Sequence, residues 1–180
     1  GVLAIIITIM VLEIKVPEGP EIASLKPLLP KILSYIISFI YVGLYWNNHH
    51  HLFQAIQKIN GKILWANLFL LFSLSLLPFT SGWMGENHFD KTPVALYGVN
   101  LIICAIAFLI LEREAIEFEG KDSTIGKALQ FKTKEIISVV LYLAGIAISF
   151  FFPIISILCY TIVALVWIIP DKRIEKILNQ

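Results

Sequence analysis

Five residues near the start of the chain have the types and spacing to handle an ion. Ile5, Thr8, Ile9 and Leu12 recur at intervals of three and four, so a helix places them on one face, and Glu13 follows directly. If several copies surround an axis, that face becomes a set of successive rings. Branched apolar rings make a narrow, dry constriction that gates by dewetting or by tight fit. Thr8 adds a layer of hydroxyls, and Glu13 adds a ring of carboxylates at the mouth. Ordinary helix packing or lipid contact accounts for the same residues, because every face of this segment is apolar and Thr8 can bond its own preceding turn.

A second group, Trp46-Asn47-Asn48-His49-His50-His51, closes a later apolar run. Adjacent helical residues point in different directions, so three consecutive histidines do not form a metal site by spacing alone. The group reads as a hydrogen-bonded helix end, or as a place where one histidine is buried against the first helix and holds it. Asn67 and Asn100 fall inside apolar runs. Buried amides there usually find partners across helices and act as packing glue.

The elements that position these residues follow from composition. The chain has 180 residues, 58% hydrophobic and 15% charged, with a net charge of +1. Four runs lack Asp, Glu, Lys and Arg altogether: Ile32–Gln57, Ile63–Gly85, Thr92–Leu111 and Ile136–Pro170. A membrane helix needs roughly 20 mostly apolar residues. The last run is long enough for two helices divided near Pro153, with a tight turn at Phe151–Ile154. These runs and the opening segment give an all-α polytopic membrane protein, one domain over residues 1–180. Its six spans fall at about 1–12, 31–50, 64–81, 94–111, 136–152 and 154–169. Ser24, Pro27 and Pro30 fall in the loop and approach to span two, whose helix can continue past the membrane through Ile56. Pro78 lies near the end of span three and can kink it. The polar stretch Glu112–Glu135 reads as a solvated extension of span four and a loop.

Orientation follows from the basic residues. With an inside amino end, the inside segments hold Lys58, Lys62, Arg113, Lys121, Lys127, Lys132, Lys134, Lys172, Arg173 and Lys176. The outside loops hold Lys15, Lys26, Lys31 and Lys91. That excess places both termini in the cytoplasm. Gly1 opens in an apolar run with no positive leader region, and the first helix is expected to begin upstream of it. Cys104 and Cys159 lie inside spans and read as small buried apolar residues.

Several function classes fall away. No acidic residue or lysine is deep in an expected span, which argues against a proton-driven or ion-coupled transporter. The charge gives no basic face for nucleic acid. There is no Gly-x-Gly-x-x-Gly, phosphate-binding loop or His-Glu-x-x-His, so enzyme readings lack a site, and a membrane metalloenzyme on His49–His51 has nothing in the spacing to support it. No Thr-Val-Gly-Tyr-Gly filter is present. A cation channel, a small-solute or ion-coupled transporter using Asn67 or Asn100, which the lack of deep charges weakens, and a non-conducting scaffold remain.

The stretch Gly1–Pro17 resembles the start of the bacterial branch of the lysosomal and endosomal potassium-channel family. Tyr45-Trp46-Asn47-Asn48-His49-His50, Trp65–Phe72 and Leu77-Pro78-Phe79 continue the resemblance through four spans, and the last two match mainly by hydropathy. The family's Phe-Ser-Asp signature would directly precede Gly1. The resemblance implies a homotetramer in the bacterial cell membrane, six spans per subunit, and a central pore lined by the first helices. It implies passage of potassium and other monovalent cations, with no cofactor and no bound metal. It implies Ile5 as the narrowest ring, Ile9 and Leu12 as further rings, and Thr8 as a layer that matters for potassium preference. His50 or a neighbour among His49–His51, with Trp46, would belong to a polar network behind the pore helix, and Asn67 is added to that network as packing glue.

Overall fold

The computed structural model describes residues 1–120, 123, 126 and 133–168. It is helical throughout, with no strand among the described residues. The helices are α1 (Val2–Leu12), α2 (Leu29–Ala55), α3 (Gly61–Ser75), α4 (Leu77–Glu86), α5 (Lys91–Glu119), α6 (Thr133–Ser149) and α7 (Pro153–Ile168). The helices α3 and α4 together make one traverse, so the described residues form six. Three segments, Ile22–Ala55, Gly61–Glu86 and Lys91–Glu119, are long and apolar enough by themselves to cross a membrane. The helices α1 and α7 are shorter and apolar.

Local sequence explains the boundaries. Pro30 sits in the first turn of α2, where its missing N–H costs nothing. Asn60 caps α3 by accepting the Ile63 N–H at 2.9 Å, and Asp90 caps α5 by accepting from Lys91 at 2.7 Å. Gly120, at φ 95°, ends α5 in a conformation that side chains resist. Pro153 opens α7 after the three residues that follow the end of α6, giving the hairpin expected from the long apolar run.

Three local expectations change. The approach to α2 is a 3₁₀ helix, Ile22–Leu28, with Pro27 inside it, where the sequence suggests a loop. The kink expected at Pro78 is a full break at Leu76, because Pro78 cannot bond Leu74 and starts a new helix instead. The helix α5 continues to Glu119 as the extension of span four suggests, but Glu112, expected to be solvated, is only 9% exposed. The expected end of span six at residue 169, the tail from Asp171, and Lys121, Lys127 and Lys132 of the polar loop lie outside the described residues.

The core is organised on α5, which packs against α3, α4, α6 and α7, while α6 and α7 pack on each other. The helix α1 lies on α2, α3 and α4 at the side of the bundle. Wide apolar areas stay exposed, including Trp65, Phe79 and Phe150–Phe152, as suits surfaces that meet lipid or another subunit.

Candidate functional site

The helix α1 is anchored by one stripe and leaves another free. Ile6 and Met10, four residues apart, are each 3% exposed, with Leu3 and Ile7 packed beside them. On the other side Ile5 is 61% exposed, Ile9 44% and Leu12 74%, with Thr8 exposed between them. The structure therefore brings the four predicted residues onto one free face of the single subunit. The Thr8 hydroxyl donates to the Ala4 carbonyl at 2.8 Å. With its proton committed, the oxygen presents lone pairs outward, which is the polarity a cation needs.

Glu13 caps the end of α1, and its carboxylate lies over Gly82 of α4, where any Cβ would overlap it. It borders a cavity of about 370 Å³ that also holds Lys15, Lys31, Glu86 and Trp83. Lys31 donates to Glu86 at 2.7 Å and ties the start of α2 to the end of α4. The Glu13 pKa is raised, first by loss of water around it and then by the Glu86 charge, with Lys31 pulling the other way. The sign follows from linkage. The folded chain binds this proton more tightly than the unfolded chain, so stability grows as pH falls through the raised value and levels off below the ordinary carboxylate range. Glu13→Gln is expected to melt slightly above the parent at neutral pH, with the gap closing on acidification. Melting curves across that range check it, and a gap independent of pH would refute it.

His49 and His50 have separate fates. His49 Nε2 lies 2.7 Å from Asn67 Oδ1, bridging α2 and α3, and its ring stacks on Phe53 at 4.5 Å. The exposed His50 stacks on Trp46, itself 56% exposed, with ring centres 5.6 Å apart. The network thus brings His49 to Asn67 and leaves Trp46 and His50 as a pair on the outer side of α2. The expected hold of a histidine on the first helix is replaced by a bond to α3. Among the described residues no cluster of His, Cys, Asp or Glu suits a metal ion.

Two polar features occupy the interior, the first expected from the sequence only as packing glue and the second not foreseen. Asn100 is 3% exposed and fits the break in the third traverse. Oriented to match its surroundings, its amide donates to Ser73 O at 3.0 Å and accepts from Leu77 N at 3.3 Å and Thr80 Oγ1 at 3.2 Å. It repairs the main-chain bond that the break opens, which is how broken helices survive in lipid. The signal was present in the sequence, as a lone amide in one run and a proline in another. The second feature is a tyrosine cluster. Tyr41 donates to Tyr160 O at 2.6 Å, Tyr142 to the Tyr41 hydroxyl at 3.4 Å, and Tyr160 to Val94 O at 3.4 Å. Ser38 and the Tyr97 hydroxyl are 3.0 Å apart.

Six helical traverses among the described residues, with interior amides spent on packing, make a polytopic membrane protein, and the proteins it resembles are channels rather than enzymes. The chain belongs to the family described as the endosomal/lysosomal potassium channel TMEM175, which matches residues 1–78. A potassium channel of Chryseobacterium sp. strain P1-3 is 61% identical over 180 residues, covering 100% of this chain and 94% of that protein. A potassium channel of Streptomyces collinus is 29% identical over 119 residues, or 62% of this chain and 58% of its own length. The crystal structure of a lysosomal potassium-selective channel TMEM175 homologue from Chamaesiphon minutus shares the fold. Its TM-score is 0.80 at 26% identity, covering 95% of this chain and 93% of that one.

Proposed function

We propose that the chain is a potassium-permeable cation channel whose subunits assemble as a homotetramer in the cell membrane, with both termini cytoplasmic. The observation that carries this is the free face of α1, with Ile5, Ile9 and Leu12 unpacked around Thr8 in a chain 61% identical to a potassium channel. Four such faces around an axis make apolar rings with one hydroxyl layer. A cation entering them sheds part of its water. The apolar walls replace none of the lost oxygens, so the cost of dehydration sets the rate and the selectivity is modest. Thr8 supplies the oxygens that exist there, Glu13 adds negative charge near the mouth, and the His49–Asn67 bond supports the bundle behind α1 with Trp46 and His50 alongside. Potassium is cargo, and no resident cofactor is required.

A transporter would need a mobile polar site at mid-depth. Its two candidates are occupied, Asn67 by His49 and Asn100 by the break at Leu76. The test is flux from purified protein in liposomes under a potassium gradient, with sodium and a large organic cation for comparison. Non-saturating potassium flux above sodium is expected. No flux from folded, assembled protein would overturn the proposal. Thr8→Ala is expected to keep conduction and lower the preference for potassium over sodium, read as a shift in reversal potential in mixed solutions. An unshifted potential removes Thr8 from selectivity.

A further inference from the structure

A second site lies away from α1, at the end of the bundle opposite Glu13. A cleft between α2, α5, α6 and α7 is lined by Tyr45, Asn48, Phe108, Glu135, Tyr142 and Trp167, with a cavity volume of about 50 Å³. A single water needs roughly 10–15 Å³ by this measure, so the cavity holds a small polar group with a few carbons attached. Glu135 Oε2 is buried at its edge and has no hydrogen-bond partner among the described residues. A buried carboxylate oxygen is costly unless a donor meets it. Part of the wall is already committed. The Trp167 N–H donates to Ser138 Oγ at 2.8 Å, and the Ser138 hydroxyl donates to Lys134 O at 2.7 Å. The Tyr142 hydroxyl is turned to Tyr41. The Lys134 ammonium lies over the Trp167 ring, 5.9 Å from its centre, which shows that this ring accepts a cation.

We propose that this cleft binds a primary ammonium group, with Glu135 as its counter-ion and the rings of Tyr45, Tyr142 and Trp167 around its first carbons. The missing partner must be a donor, because a carboxylate only accepts. A cationic donor makes the strongest such bond, and an apolar stem suits the aromatic walls. A soluble alkylamine and the ethanolamine head of a phospholipid share that chemistry.

The test uses the full chain in nanodiscs of phosphatidylcholine, titrated with propylamine by calorimetry, with propanol as the neutral analogue. Saturable binding of the amine alone is expected, weakened at least tenfold by Glu135→Gln and also weakened by Tyr45→Leu. Nanodiscs of phosphatidylethanolamine separate the sources. Competition with propylamine there assigns the site to the lipid head, and unchanged binding assigns it to a soluble amine. Propanol binding as well as propylamine, full affinity in Glu135→Gln, or no saturable signal from the parent chain would each overturn the proposal. The last needs no variant to fold.

Discussion

Ile5→Ala is expected to raise potassium flux severalfold at equal protein density. The side chain is 61% exposed on the free face of α1 and takes no part in the packing of its own subunit. Truncating it removes carbon from each ring member and widens the driest part of the path, where each ion pays most for its lost water. Ile6 is the internal control. It is the same residue type one position along, but it is 3% exposed and packs with the core. Ile6→Ala is expected to cost stability, about 2–5 kcal/mol as for other buried isoleucines, without comparable gain in flux per folded channel. Equal currents from Ile5→Ala and its parent would count against Ile5 as the constriction.

Gly98→Leu is expected to abolish the folded protein. Gly98 on α5 faces Tyr160 of α7 so closely that even a Cβ would overlap the tyrosine hydroxyl and lie 2.9 Å from Ile146 Cγ1 of α6. Gly145 of α6 meets the same ring. Tyr160 has no exposed surface and is pinned by its bond to Val94 O, so it cannot swing away. Overpacking by a few carbons already costs roughly 1–3 kcal/mol where neighbours can yield. Gly98→Ala is expected to give a folded but less stable protein, with a lower melting temperature. Tyr160→Phe in the same chain is expected to recover part of that loss by removing the nearest clashing atom. Size-exclusion profiles and melting curves of the three variants decide it, and a monodisperse Gly98→Leu protein with the parent's melting temperature would refute the close-packing account.

Much of this fold was legible because charge-free runs and prolines are strong signals. The hairpin at Pro153, the extension of α2 past residue 50 and the common face of Ile5, Thr8, Ile9 and Leu12 all follow from spacing and composition. What hydropathy cannot supply is which apolar face meets protein and which meets lipid, since both favour the same side chains. The helix α1 shows this, for Ile5 and Ile6 are identical to any scale and opposite in burial. The partner of His49 was unreadable for a related reason. A short sequence fixes which residues share a helix face, but the histidine met α3 rather than α1 because of how three helices cross. Glu112 and Glu135 looked like parts of one solvated stretch. The structure buries Glu112 and one oxygen of Glu135, because α5 and α6 continue their packing beyond the apolar runs.

The break at Leu76 turns the third traverse into two short rods with a side-chain joint. The joint is made by Asn100, which belongs to neither rod, so a change of angle between them stretches side-chain bonds and leaves each rod's own hydrogen bonds intact. The two rods hold opposite ends of the bundle. The helix α4 carries Glu86 against Lys31 and Gly82 beneath Glu13, while α3 carries Asn67 against His49. Thinning or thickening of the surrounding bilayer tilts spans that do not match it. In this bundle the third traverse can change angle at the joint, while the unbroken helix α2, which carries both Lys31 and His49, keeps the two ends at a fixed spacing.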